Sequence, residues 1–240
     1  MESRNNPQSE PYKLFSGPYN QEMPKLIADG RNPISPSLVF WRRLEALNEY
    51  LGAWKRSDFE SLAEWDKVME TWWGNSVDTG FGIAMHPNGN AVLVPNTQYL
   101  RQLNLQTKLL HSYAVMPDGM FESLDGHRLT AAKINQYRMI TMSQQQALAD
   151  PLWKVFIPDK TLRDASIVNT FAQGKKDDMM GIYFPAAPAR PVMGLWCFGG
   201  RYNRCNAYGG ELISCSRLFG VTPGVAEGDV RTLEHIIQPK

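Results

Sequence analysis

An α+β fold with a mostly antiparallel sheet is what this sequence predicts, on three observations. Two helical stripes of apolar residues stand side by side between residues 35 and 74. Beyond Gly80 the apolar period drops to two. Helices and strands then mix without the regular β-α alternation that a doubly wound parallel sheet requires. The chain of 240 residues, 43% hydrophobic, has the length of one or two domains and enough apolar surface for a sizeable core. Its parts read as an arm over 1–34, a helical hairpin over 35–74 and an α+β domain over 75–240, with 35–240 able to form a single domain.

In the first segment Pro7, Pro11, Pro18, Pro24 and Pro33 interrupt a largely polar stretch. Fixed φ angles and missing N–H groups argue against a helix or a central strand there. An extended arm is expected, anchored at Tyr12, Leu14, Phe15, Tyr19, Met23, Leu26 and Ile27 where a surface accepts it.

The hairpin begins at Ser35-Pro36, an N-cap followed by proline at the first helical position. Phe40, Leu44, Leu47, Leu51 and Trp54 recur at spacings of 4, 3, 4 and 3, which makes one apolar stripe. Ser57 and Glu60 have capping-box spacing. Leu62, Trp65, Met69 and Trp72 form the second stripe, stopped by Gly74.

Phe81, Ile83 and Met85 then alternate, Asn88-Gly89 is a hairpin turn, and Ala91–Val94 return. Leu100–Val115 fits helix or strand. Pro117-Asp118-Gly119 reads as a turn and Thr130–Ala149 as a helix broken near 141–143. Trp153–Ile157 reads as a strand and Thr161–Gln173 as a helix. Ile182–Phe184, Val192–Phe198 and Leu212–Cys215 read as late strands, and Asp229 as the cap of a last helix.

Chemistry-bearing residues are sparse. Cys197, Cys205 and Cys215, with His235, lack the tight pairing of a structural zinc site, so reduced thiols are expected, with no metal and no cofactor. His86, His111, His127 and His235 form no HxH or HExxH spacing. His86 and Asp78 could make a proton-transfer pair, and His127 is a second candidate for moving protons. Asp118, Glu122, Asp125 and His127 form an acidic stretch without EF-hand order. Arg201 and Arg204, between Gly199-Gly200 and Gly209-Gly210, are candidates for holding an anion.

Lys and Arg number 25 against 24 Asp and Glu, so no global charge draws the chain to nucleic acid, which is not expected as a partner. No run of 18 apolar residues occurs, and Met1–Glu10 has no apolar core, so neither a membrane span nor a secretory signal is expected. An intracellular or virion location follows as an expectation. Five of the seven tryptophans fall between Trp41 and Trp73. These observations favour a non-catalytic interaction or assembly protein, with a viral or phage particle as one setting. Its interface residues would be Tyr12, Phe15, Tyr19, Trp41, Trp54, Trp65, Trp72 and Trp73, facing a protein partner or a second copy. The alternative is an enzyme on a small anionic substrate, using His86 or His127 with Arg201 and Arg204.

Overall fold

The computed structural model describes residues 11–95, 98–137, 140–174, 179–199, 206–213 and 215–224. Strand β1 (Tyr12–Pro18) leads into helix α1 (Tyr19–Ala28) and the short β2 (Asn32–Pro33). Helices α2 (Pro36–Arg56) and α3 (Phe59–Met69) follow, the latter running on as a π-helical turn over Glu70–Gly74. Next come β3 (Val77–Met85), β4 (Ala91–Val94), α4 (Gln98–Arg101), β5 (Leu109–Leu110), β6 (Tyr113–Val115), α5 (Met120–Ser123) and β7 (His127–Leu129). The chain continues through α6 (Ala131–Tyr137), β8 (Ile140–Met142), α7 (Gln144–Ala149), α8 (Pro151–Phe156) and α9 (Lys160–Gly174). The last strands are β9 (Met179–Tyr183), β10 (Val192–Gly199), β11 (Asn206–Gly210) and β12 (Cys215–Val221).

The strands join in one sheet whose main order is β1-β12-β3-β10-β11-β9-β8. Only the β12–β3 and β11–β9 pairs are parallel among the described residues. The α+β class and the mostly antiparallel sheet are therefore what the molecule has. Strands β3 and β10 are buried along their whole length. Val192, Trp196 and Phe198 enter one apolar core with Phe40, Trp153 and Phe156, while Met193, Leu195 and Cys197 enter a second with Tyr19, Met23 and Leu26. Cover on both faces explains why these strands read as unbroken apolar runs.

Several local expectations are corrected. Residues 12–33 are not an arm laid on a surface but the strand–helix–strand unit β1-α1-β2. β1 pairs with β12 from Tyr12↔Val221 to Pro18↔Cys215, and Tyr19, Met23 and Leu26 are fully buried. Burial of that 4-and-3-spaced stripe offsets the cost of Pro24 inside α1. Ser57 is not an N-cap: at φ 53° it closes α2 in the left-handed conformation, its N–H bonded to the carbonyls of Ala53 and Trp54. Trp153–Ile157 is not a strand. Asp150 accepts from the backbone N–H groups of Leu152 (2.8 Å) and Trp153 (3.3 Å), and Pro151 starts α8 at its first position. The strand expected at Leu212–Cys215 begins only at Cys215 and runs to Val221. The expected helix after Asp229 lies outside the described residues, as do residues 1–10.

Candidate functional site

Three places concentrate polar groups. The first is a network inside the second core. Asp78 of β3 and Cys197 of β10 face the same side of the sheet, and the Cys197 thiol donates to Asp78 Oδ1. Tyr208 of β11 donates to Ser76 Oγ at 2.6 Å, and Thr79 Oγ1 donates to the Trp196 carbonyl at 2.8 Å. The glycines opposite make room for these groups. A Cβ on Gly210 would lie 2.6 Å from Cys197 Sγ, and one on Gly194 would lie 2.7 Å from the Tyr113 ring.

Burial sets the charge states here. It pushes the Cys197 thiol well up, with Asp78 adding to the rise, and it raises the Tyr19 phenol well above its ordinary value. Tyr113 is raised to about 12 by desolvation and then by Glu211, and Tyr208 is raised by desolvation and then by Cys197. Thiol and phenols are therefore neutral donors near pH 7, and none is a ready nucleophile. The network ties β3, β10, β11 and the residue before β3 together.

One consequence is measurable. In the unfolded chain a thiol ionises near pH 8.5, whereas folded Cys197 holds its proton beyond that. Stability from this group is complete below about pH 8.5 and is lost as pH rises toward the folded value, at up to about 1.4 kcal/mol per pH unit. Urea unfolding at about pH 7.5 and 9.5 is expected to show this fall. The fall should shrink in Cys197→Ala, which also weakens the fold at both pH values by removing the donor to Asp78.

The second place is a groove of about 280 Å³ between the β3–β4 turn, α6 and the segment after β9. His86, Asn88, Asn90 and Asn135 supply its polar side, and Met85, Ile134, Phe184 and Pro185 its apolar side. The third is a groove of about 350 Å³ where Ser35–Ser37 at the start of α2 faces Asp125–His127 at β7 and Val155, Phe156 and Pro158 at the end of α8. Phe81 and Leu93 reach its floor.

The residues expected from sequence distribute as follows. Asp78 and His86 are not a pair. They sit at opposite ends of β3, on the order of 25 Å apart at roughly 3.3 Å per residue, and Asp78 is fully buried. His86 packs its ring against Phe121 at 4.9 Å, and its Nδ1 accepts from Asn88 N at 3.3 Å. His127 is exposed in the other groove, opposite Leu93. Arg201, Arg204 and Cys205 lie outside the described residues. Among the described residues no three His, Cys, Asp or Glu side chains come together as metal ligands. No described helix is long and apolar enough to cross a membrane.

Most of the expected interface residues belong to the molecule's own packing. Phe15, Tyr19, Trp41 and Trp72 are buried. Trp72 stacks on Phe219 at 4.2 Å, and Tyr12 meets its edge at 5.5 Å. Trp73 is partly buried, and its Nε1 donates to the Arg43 carbonyl at 2.9 Å. Trp65 lies on α3, with its side chain outside the described residues. Trp54 differs: it is 63% exposed, and Leu51 beside it on the same stripe is 42% exposed. Sequence reasoning missed Ser76, Tyr113 and Tyr208 as polar partners, and Asn90 and Asn135 as groove residues. The Asn-Gly-Asn run carried only its turn signal.

No family model matches the sequence, and no curated protein matches it. Among solved structures, one described as "Accommodation of massive sequence variation in Nanoarchaeota by the C-type lectin fold" aligns with a TM-score of 0.60. The alignment covers 90% of this chain and 99% of that one, at 15% sequence identity. At that identity the likeness concerns fold alone, and the fold this chain resembles is the C-type lectin fold.

Proposed function

We propose that this chain is a non-catalytic binding protein that joins a protein partner through the free end of its α2–α3 hairpin. The observation that carries the reading is the fate of one stripe. Phe40, Leu44 and Leu47 of α2 are buried in the core, whereas Leu51 and Trp54 continue the same face and stand exposed. An indole exposed over most of its surface beside a leucine is the kind of anchor that protein interfaces favour. The groups able to do chemistry support the same reading from the other side, since Asp78 and Cys197 are bonded to one another in the interior. The structural neighbour's fold is described as accommodating massive sequence variation. We carry a matching division of labour to this chain: a buried framework holds the fold, and exposed positions carry recognition.

The test is photo-crosslinking in the producing cell, with benzoylphenylalanine at position 54 and, as the control, at position 168. Val168 is also exposed, on α9. A discrete adduct is expected from position 54 alone. Equal labelling from both positions, or none from 54, would refute the reading.

A further inference from the structure

We propose that the groove at the β3–β4 turn binds an apolar monocarboxylate. Its carboxylate is held by the side-chain N–H groups of Asn88 and Asn90, and its apolar end lies on Phe184 and Ile134. This site is separate from the hairpin and does not depend on the reading given to it.

Backbone amides fix which way the groove's polar side chains face. Asn90 N donates to Asn88 Oδ1 at 3.0 Å, and Ala131 N donates to Asn90 Oδ1 at 3.0 Å. An N–H needs an acceptor, so each side-chain oxygen holds a backbone N–H with one of its two lone pairs, and both Nδ2 groups are left for other partners. Asn88 N donates to His86 Nδ1 at 3.3 Å. Contact with Phe121 fixes the ring. Among the described residues no acceptor meets these two side-chain Nδ2 donors, and both residues line the groove.

The two side chains at this turn thus keep free N–H donors for a ligand. A carboxylate brings only acceptors. Among the described residues no Asp or Glu lines the groove to repel it. Across from the donors, Ile134, Phe184 and Pro185 offer an apolar wall. The volume of about 280 Å³ leaves room for a ring with a short acid arm. A free small acid and the C-terminus of a peptide with an apolar last residue share this chemistry.

The experiment titrates the 15N-labelled full chain with phenylacetate, with a short peptide acid ending in phenylalanine, and with the amides of both. The side-chain NH2 signals of Asn88 and Asn90 are the readout. Saturable shifts are expected with at least one acid, and at least about tenfold weaker binding by its amide. Asn90→Asp keeps an oxygen on Ala131 N and replaces the outward donor with a second oxygen. It should weaken binding by about tenfold or more. Asn88→Asp makes the same exchange one step away and serves if the first variant loses the native spectrum. Tighter binding of the peptide acid identifies a chain terminus as the ligand, and tighter binding of phenylacetate identifies a small acid. The proposal fails if neither acid gives saturable shifts up to about 10 mM, if the amides bind as well as the acids, or if a folded aspartate variant binds undiminished.

Discussion

A chain that begins at Ser35 is expected not to fold. Removing residues 1–34 strips β1 from β12 along seven paired positions and empties the second core of Phe15, Tyr19, Met23 and Leu26. It also removes Arg31, 7% exposed, whose guanidinium donates to Asp29 at 2.9 Å and to the Pro11 and Gly220 carbonyls at 3.4 Å. Emptying the place of one buried Leu, Met or Phe costs about 2–5 kcal/mol, and whole domains hold only about 5–15 kcal/mol. Three or four such losses, about 6–20 kcal/mol together, match or exceed that total. Circular dichroism and thermal melting of residues 35–240 should show no cooperative transition. In the full chain, Met23→Ala should cost about 2–5 kcal/mol in urea unfolding. A 35–240 fragment melting within a few degrees of the full chain would show that the first 34 residues are dispensable.

The misreading of that segment shows where sequence stops informing. The α2 stripe and the Asn88-Gly89 turn are legible because periodicity, cap and turn type are local properties. The stripe Tyr19, Met23, Leu26 is equally periodic, but Pro18 and Pro24 contradict it locally. Contacts far along the chain, from β12 some 190 residues later and from the rest of the second core, settle the conflict. Trp153–Ile157 is rich in strand formers, yet Asp150-Pro151 caps it as a helix, so a two-residue start signal outweighs a propensity. Asn206–Gly210 has little strand propensity and becomes β11 because β10 lies beside it. The site was less legible than the fold. Asp78 and Cys197 meet across 119 positions, and nothing local to either announces the other. Likewise, that His86 Nδ1 is an acceptor follows from the conformation of the turn and not from the residue types.

Arg43 is where a second large loss is expected. It is 1% exposed, on the core side of α2, and its Nε donates to the Trp72 carbonyl at 2.6 Å while Nη2 donates to the Phe198 carbonyl at 3.0 Å. Its guanidinium lies 5.4 Å from the Phe40 ring centre and 5.8 Å from that of Trp73. One side chain thereby ties α2 to the π-helical turn and to the end of β10. Arg43→Ala leaves two buried carbonyls without these donors and opens a cavity among aromatic rings, a loss of about 3–5 kcal/mol. Arg43→Lys keeps the charge, but a single ammonium lacks the planar fork that reaches two carbonyls on different elements. It should lose about 1–3 kcal/mol. Urea unfolding should rank the three chains Arg, Lys, Ala. Near-ultraviolet dichroism should weaken in the same order as Trp72 and Trp73 lose their fixed setting. If the alanine chain unfolds within about 1 kcal/mol of the original, the guanidinium is not the tie between the hairpin's root and the sheet.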